Sequence, residues 1–351
     1  MNKKLALFPM NRNLCAVARY AHLLKGYTLS AAMVLSAFNL GGEDISKIDG
    51  GDFADVALCN YDEGILQTCD VVFLDYNEYM TSLDPYTVAI DCATRLGIEV
   101  FLSRELSVKL GLTPEVPPLT NMHVPNALQE CTVPVISVLT LGSNTNQFAM
   151  ELAIRGHFEA KGYKVSQLGT HDTCQLFDFG KQPDFLYENR DASQKLLCYN
   201  QYVKNLIKDE SPDLLILGVP EAIMKYNNNI LLGMGIVPYI ITNAVRSDVS
   251  VCSSYYGKDL EKYIEEVACY CNYRLDCNVV FFNVSNVAAS PNETDTALEY
   301  VTLPKNHVSQ SLSDETGLDG FHVFNALDIA SAKHACEAIE DSLAGNVAYV
   351  V

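Results

Sequence analysis

Residues 133–162 constrain the fold of this chain more than any other stretch. Residues 133–141 form an apolar run rich in β-branched side chains, which predicts a buried strand. A small polar loop follows at residues 142–147, and the amphipathic stretch 148–161 predicts a helix that ends at a glycine. The next apolar run, 163–168, predicts a second strand. This alternation is typical of a parallel sheet whose faces are covered by helices.

The polar loop at residues 142–147 has the setting of an anion-binding turn. Backbone N–H groups of such a loop and of the helix behind it point at one spot, where the helix dipole favours negative charge. Phosphate loops of the form G-x-x-x-x-G-K-[ST] work in this way. Here Gly142 supplies the first glycine, but the second glycine and the lysine are absent. The sequence therefore predicts a nucleotide-binding fold with a degenerate phosphate loop.

The missing lysine argues against efficient phosphoryl transfer. That ammonium group normally lies on the β- and γ-phosphates, and losing such a stabiliser costs about 3 kcal/mol, hence orders of magnitude in rate. The nearest cations in the sequence are Arg155, predicted within the helix, and Lys164, predicted within the next strand. Neither position replaces the lysine, so we expect weak or absent NTPase activity and assign no catalytic residue.

Polar residues that follow the predicted strands are the candidate ligand-binding residues. Ligands of doubly wound sheets lie at the C-terminal ends of the strands, where the loops 142–147, 169–173, 220–226 and 243–248 are expected to meet. The candidate nucleotide-binding residues are Gly142, Ser143, Asn144, Thr145, Asn146, Gln147, Thr170 and Asn243. The expected cofactor is ATP or GTP with Mg²⁺, or else none.

Two carboxylates are candidate Mg²⁺ ligands. Mg²⁺ takes one or two carboxylates together with phosphate oxygens, and Asp172 and Glu221 follow predicted strands. A helix cap or a solvated turn is the competing interpretation for each. His171 has the chemistry of an acid or base, but a turn histidine without a catalytic role is the simpler interpretation.

The rest of the chain repeats the alternation of strands and helices. We predict a Rossmann-like α/β domain at residues 1–112, a proline-containing linker at 113–132 and a P-loop-like α/β domain at 133–351. The fold class is therefore α/β, with two doubly wound, mostly parallel-sheet domains. Besides the strands at 133–141 and 163–168, the predicted strands are 3–10, 27–36, 54–58, 70–75, 98–102, 213–219, 236–242, 278–284 and 298–303. Predicted helices are 12–25, 84–97, 191–209, 228–235, 258–273 and 326–344.

Composition restricts partners and compartment. The formal net charge is −19, from 43 acidic and 24 basic residues, which argues against a nucleic acid or an anionic membrane as partner. No run approaches the roughly 18 apolar residues that a membrane span needs. We expect a cytoplasmic protein whose twelve cysteines are reduced and mostly buried. Cys269, Cys271 and Cys277 do not have a zinc-site spacing.

Several segments together resemble a bacterial family. The opening LALFPMNRN, then VARYAHLLKGYTLSAAMVLSA and GGEDISKIDGGD, resembles the N-terminal domain of peptide maturation system proteins, which accompany ribosomally made peptides, mostly in clostridia. The second half is similar to the P-loop domain of that group and of related amino-acid-metabolism proteins, themselves distantly similar to dethiobiotin synthetase and cobyrinic acid diamide synthase. The matching segments are VPVISVLTLGSNTNQ, GYKVSQLGT, DLLILGVPE and NILLGMGIVPYIITNAVRSD.

The resemblance covers nearly the whole chain and sets the functional expectations. Relatives read roughly G-T-x-x-x-Q-G-K-F-T at the loop, so an ungapped match puts Phe148 and Ala149 where glycine and lysine belong. A gapped match puts Asn146 and Gln147 there. The resemblance implies an accessory protein that assists a precursor peptide or a peptide-modifying enzyme, alone or as a homo-oligomer. The alternatives are an active ATP-dependent ligase or kinase-like enzyme, and a scaffold without ligand.

Overall fold

The computed structural model describes residues 2–112, 125–257, 260–314 and 320–347. The chain forms two compact units: the first unit comprises Met1–Pro117 and His171–Phe179, and the second comprises Pro118–Thr170 and Gly180–Val351. We call residues 171–179 the inserted segment. The predicted domains are contiguous in sequence, whereas the inserted segment folds with the beginning of the chain. Residues 113–124 of the predicted linker lie outside the described residues.

The first unit is a five-stranded parallel sheet flanked by helices. Its elements are β1 (Lys3–Phe8), α1 (Arg12–Arg19), β2 (Tyr27–Val34), α2 (Ser46–Asp49), β3 (Leu58–Asn60), α3 (Glu63–Leu66), β4 (Val71–Leu74), α4 (Asp84–Leu96), β5 (Glu99–Leu102) and α5 (Arg104–Lys109). The strand order is β3-β2-β1-β4-β5. The chain builds outward from β1 on one side and then crosses to β4 on the other, so the unit is doubly wound.

The second unit is a seven-stranded parallel sheet with helices on its faces. Its elements are β6 (Val135–Thr140), α6 (Gln147–Ala160), β7 (Val165–Gly169), β8 (Gly180–Lys181), α7 (Ala192–Glu210), β9 (Leu214–Gly218), α8 (Ile236–Ala244), β10 (Val249–Ser254), α9 (Leu260–Leu275), β11 (Val279–Val284), β12 (Val287–Pro291), β13 (Leu298–Thr302), α10 (Lys305–Asp314), β14 (His322–Phe324) and α11 (Ile329–Val347). The order is β14-β11-β10-β6-β9-β7-β8, and β12 and β13 pair separately as an antiparallel ribbon.

Burial explains why β6 and β9 are continuous apolar runs. Every residue of these two strands is buried, as expected for central strands of a parallel sheet covered on both faces. Val135 and Leu139 of β6 and Leu215 and Leu217 of β9 join one large apolar core with residues of α7, α8 and α9. The predicted fold class, an α/β chain with two doubly wound parallel sheets, is confirmed.

The secondary-structure prediction is wrong at residues 228–242. The predicted strand at 236–242 is the helix α8, and the predicted helix at 228–235 reduces to a short 3₁₀ turn at Leu232–Gly235. A connection between the parallel strands β9 and β10 must return along the sheet, and a helix normally makes that crossover. Two boundaries also shift: α1 ends at Arg19, not at residue 25, and the strand predicted at 54–58 is Leu58–Asn60.

Among the described residues, no helix is both long enough and apolar enough to cross a lipid bilayer.

Candidate functional site

The loop between β6 and α6 is tightly curled. Gly142 has φ 155°, and Asn144 and Asn146 have φ 63° and 60° in the left-handed region. Asparagine tolerates that conformation better than most residues, so the sequence suits the turn. The loop therefore returns on itself between the end of the strand and the first turn of the helix.

Threonine hydroxyl groups brace the loop from inside. The Thr140 hydroxyl donates to Gly142 O at 2.7 Å and lies 2.6 Å from the Thr145 hydroxyl. The Thr145 hydroxyl also lies 3.3 Å from Gly142 O, and Gly142 N donates back to Thr140 Oγ1 at 3.1 Å. Both threonine side chains are buried, so these hydrogen bonds do not compete with water.

Side chains from two neighbouring strands hold two more loop carbonyl groups. The Tyr255 hydroxyl, just beyond the end of β10, donates to Ser143 O at 2.9 Å. Asn283 Nδ2, on β11, donates to Thr145 O at 3.1 Å, and Asn283 Oδ1 accepts from Ala326 N at 2.8 Å. The Asn283 side chain is therefore fixed at both ends, and it fixes the loop in turn.

These contacts orient the main-chain N–H groups of the loop. The carbonyl groups of Gly142, Ser143 and Thr145 each accept a hydrogen bond from a side chain. A trans peptide is planar and its N–H is directed opposite to its C=O, so the N–H groups of Ser143, Asn144 and Asn146 point to the other side of the loop. Main-chain N–H groups that converge on one point form an anion-binding concavity, so this loop is the candidate anion site of the second unit.

A close approach makes glycine necessary at position 142. A Cβ atom built on Gly142 would overlap the Tyr255 hydroxyl and lie 3.2 Å from Tyr255 Cζ. The tyrosine hydroxyl that holds Ser143 O can take its place only because residue 142 has no side chain.

Neither alignment of the loop supplies a cation. Phe148 and Ala149 are only 5% and 2% exposed, at the start of α6. Gln147 uses its amide group on the main chain, because Nε2 donates to Val138 O at 2.7 Å and to Val219 O at 2.8 Å. Residues 142–154 contain no lysine or arginine. The loop therefore has the curvature of a phosphate loop without its ammonium group.

A buried carboxylate that sequence analysis missed lies one turn into α6. Glu151 is fully buried, and its Oε1 accepts from the Thr170 hydroxyl at 2.6 Å. Its Oε2 accepts from Gln167 Nε2 at 3.2 Å and from Thr170 N at 3.3 Å. Thr170, a predicted nucleotide-binding residue, is thus held by α6. The available signal was a single acidic residue inside the apolar stretch FAMELAI.

Asp172 and Glu221, the predicted Mg²⁺ ligands, belong to different units. Asp172 Oδ2 accepts from Arg104 N at 2.7 Å at the start of α5, which is the contact of a helix cap. Glu221 has φ 63°, and burial raises the pKa of its carboxyl against the opposing charge of Lys195. Among the described residues, no cluster of three or more His, Cys, Asp or Glu is placed to hold a metal ion. Mg²⁺ binding by these two residues stays a prediction.

His171 is paired with a buried carboxylate of the first unit. Thr173 N donates to His171 Nδ1 at 3.3 Å, so in the neutral ring the proton is assigned to Nε2, which lies 3.4 Å from Asp75 Oδ2. Burial raises the pKa of the Asp75 carboxyl, but the charge of His171 and hydrogen bonds from His171, Asn11 and Ser103 outweigh burial and hold it below its ordinary value. The position of His171 in a turn gave no indication of this carboxylate partner, which is distant in sequence.

Asn243 is not brought to the loop. It lies in the last turn of α8, where its Nδ2 donates to Tyr239 O at 2.9 Å. Because α8 leads into the start of β10, and β10 is parallel to β6, Asn243 lies at the edge of the sheet opposite the loop. Its predicted position depended on reading residues 236–242 as a strand, which the structure corrects.

Comparisons with known proteins support the fold. No family model and no curated protein matches this chain. A DUF1611 family protein from Anabaena variabilis is similar in structure, with a TM-score of 0.60 and 11% identity, over 96% of this chain and 99% of that one. Weaker matches include cobyrinic acid a,c-diamide synthase from Mycobacterium smegmatis, with a TM-score of 0.30 and 11% identity over 59% of this chain and 94% of that one. A pseudomurein peptide ligase type C from Methanothermus fervidus matches with a TM-score of 0.28 and 12% identity, over 83% of this chain and 50% of that one.

Proposed function

We propose that the second unit binds the phosphate groups of a nucleotide, ATP or GTP, at the loop of residues 142–147, through main-chain N–H groups that follow Gly142, and hydrolyses it weakly or not at all. The N–H of Gly142 itself donates to Thr140 Oγ1. The observation that supports binding is the set of three loop carbonyl groups held by Thr140, Tyr255 and Asn283. These contacts fix the N–H groups before any ligand arrives, so an anion would bind without the cost of ordering the loop.

The same geometry supports weak turnover. Phosphoryl transfer depends on positive charge placed on the transferred group, and the loop carries none in its own sequence. Main-chain dipoles bind a ground-state phosphate, but they do not replace an ammonium group that strengthens its contacts in the transition state. Glu221 follows β9 in the same unit as the loop and is the carboxylate that we propose for Mg²⁺, and Thr170 joins the loop as a neighbouring polar group.

The biological role that we propose is that of a cytoplasmic accessory protein in peptide maturation. The sequence resemblance supports this role, and the partner would be a precursor peptide or its modifying enzyme. A homo-oligomer is compatible with it. In this role the bound nucleotide serves as a signal or a structural ligand, and its hydrolysis does not drive a reaction.

Thermal unfolding with nucleotide tests the binding step. A ligand that binds only the native chain raises its Tm with concentration. We expect millimolar ATP or GTP with Mg²⁺ to raise the Tm while phosphate release stays at background. No rise with either nucleotide contradicts the proposal and leaves the scaffold alternative. Phosphate release that Glu221→Ala abolishes contradicts weak turnover and favours the ligase or kinase-like alternative.

A matched pair of variants locates the binding site. Thr145→Val removes the hydroxyl contacts with Thr140 and Gly142, whereas Thr242→Val removes a buried hydroxyl bond to Pro238 O at 2.9 Å within α8. Each change should cost about 1 kcal/mol of stability. Only Thr145→Val should weaken nucleotide binding, by about fivefold or more, in calorimetric titration. Equal affinities in the two variants would place the ligand elsewhere.

A further inference from the structure

The chain passes from the second unit into the first between Thr170 and His171, and both residues are anchored. Thr170 is held within the second unit by Glu151, and His171 is held within the first unit by Asp75. Two residues that are joined by one peptide bond are therefore held by side chains of different units. Because no residue lies between Thr170 and His171, we expect a shift of one of them to displace the other.

The anchor in the second unit is built for a carboxylate. Glu151 is fully buried and accepts hydrogen bonds from the Thr170 hydroxyl, Thr170 N and Gln167 Nε2. A Cβ atom at Gly218 would overlap the Glu151 carboxylate, so the end of β9 leaves room for it. Glu151 lies in the second turn of α6, the helix that begins directly at the candidate nucleotide loop.

The anchor in the first unit extends along the inserted segment. Asp172 Oδ2 accepts from Arg104 N at 2.7 Å, and Lys25 N donates to Leu176 O at 2.9 Å. Leu176 and Phe177 are fully buried. The segment is therefore packed and hydrogen-bonded as part of the first unit and not as a surface loop of the second.

We propose that Glu151 and Thr170 couple the nucleotide loop to the inserted segment, so that a ligand at residues 142–147 changes how firmly residues 171–179 are held in the first unit. The inference rests on the proposed function, because the ligand is the one proposed there. An anion at the loop attracts the positive N-terminal end of the α6 dipole. Because a helix moves as a rigid element, the Glu151 carboxylate moves with α6 and displaces Thr170, to which it is hydrogen-bonded. Glu151 and Thr170 are positioning residues in this scheme.

Hydrogen exchange of the full chain, read by mass spectrometry, tests the coupling. We expect ATP with Mg²⁺ to change amide protection of residues 171–179 in the unaltered protein. Glu151→Met removes the carboxylate that holds Thr170, including the 2.6 Å contact with its hydroxyl, and should abolish that change while ATP still binds. Thr242→Val, a hydroxyl loss in the same unit, should leave the change intact. Glu151→Gln keeps the side-chain volume but leaves one oxygen for the three donors, so it is the second variant should Glu151→Met fold poorly, and it should reduce the change.

Thermodynamic reciprocity gives the second readout. If the ligand alters the seating of the segment, then loosening the segment must alter ligand affinity by the same factor. We expect Asp75→Asn to change ATP affinity by about threefold or more, and the change to vanish in the Glu151→Met background. ATP binding with unchanged protection and unchanged affinity in Asp75→Asn overturns this inference alone. An absence of ATP binding overturns the proposed function, and this inference with it.

Discussion

Gln147 and Gln182 make the same connection on opposite sides of β9. Gln147 Nε2 joins Val138 O of β6 to Val219 O, just past the end of β9. Gln182 Nε2 joins Leu168 O of β7 to Gly218 O of β9, at 3.3 and 2.7 Å. In both places an amide group with two N–H donors fills the gap between neighbouring parallel strands at their C-terminal ends. Only Gln147 also borders the nucleotide loop.

This pair separates a structural effect from a ligand effect. Gln147→Met and Gln182→Met each remove two hydrogen bonds to main-chain carbonyl groups, so each should cost about 1–3 kcal/mol in urea unfolding. Val138 O keeps its bond from Val219 N, whereas Gln182→Met also removes the acceptor of the Tyr199 hydroxyl, so Gln182→Met should cost more. Only Gln147→Met should also weaken ATP binding, because only Gln147 begins α6 behind the loop. An equal loss of affinity in Gln182→Met would mean that the sheet edge as a whole, and not the loop, governs binding.

The contact between Gly142 and Tyr255 predicts a rescue. Gly142→Ala places a methyl group on the Tyr255 hydroxyl, so we expect a loss of about 1–3 kcal/mol and of nucleotide binding. Tyr255→Phe removes that hydroxyl, and with it the bond to Ser143 O. The double variant should therefore be more stable than the sum of the two single losses predicts. Additive losses, measured by urea unfolding, would show that the strain at position 142 has another source.

Acid should weaken the first unit through Asp75. Its pKa is held below the ordinary 3.8, so its contribution to stability is present above about pH 4 and is lost as pH falls through the lower folded-state value. His171, Glu105 and Tyr86 are titratable groups close to it, and the pKa of Glu105 is raised by burial and by the charge of Asp75. Asp75→Asn should cost about 1–3 kcal/mol near neutral pH and flatten the acid limb of the stability profile.

Urea unfolding followed by circular dichroism, from about pH 7 to about pH 3, provides the measurement. Asp328→Asn is the control, because that carboxyl also has a lowered pKa but lies in the second unit. In Asp328→Asn, the loss of stability at acid pH that we attribute to Asp75 should remain. A steep acid limb that persists in Asp75→Asn would assign the sensitivity to other carboxylates.

Thiol reactivity should single out Cys269. None of the twelve cysteines is in a disulfide; Cys269 is exposed, Cys59 and Cys131 are half-buried, and the other nine are buried. Burial raises the pKa of the Cys59 and Cys131 thiols, which slows their reaction as thiolates. Ellman's reagent should therefore show one fast thiol in the native chain, and Cys269→Ser should remove it. Several fast thiols would indicate that the buried cysteines are readily uncovered.

Local patterns in the sequence predicted the elements around the loop accurately. The helix predicted at 148–161 is Gln147–Ala160, and the strand predicted at 133–141 is Val135–Thr140. An apolar β-branched run, a small polar turn and an amphipathic stretch each reflect local structure, so they can be read directly. The two left-handed residues, Asn144 and Asn146, are also of a type that this turn accepts.

The strand predicted at residues 236–242 is wrong because the composition of the segment favours a strand, whereas the sheet topology requires a crossover helix. IVPYIIT is rich in β-branched side chains, which favour strands, yet the segment is the crossover helix α8. Burial of most of its side chains against the sheet outweighs that weak preference. The misreading moved Asn243 to the wrong edge of the sheet and so put it among the site candidates.

The pairings of the inserted segment could not be read from sequence at all. Its partners Lys25, Asp75 and Arg104 lie far away along the chain, and no periodicity links them to residues 171–179. Glu151 is a similar case, because its value depends on Thr170 and Gln167 being adjacent in space. Long-range partners of this kind become visible only once the strands are ordered.

The inserted segment also bears on how the protein is made. Residues 2–112 leave the ribosome well before residues 171–179, whose buried Leu176 and Phe177 complete the same unit. During synthesis the first unit therefore cannot complete its packing until residues 171–179 have been translated. Cutting the gene between the two sheets would accordingly leave the first unit without residues 171–179, which would stay with the second unit.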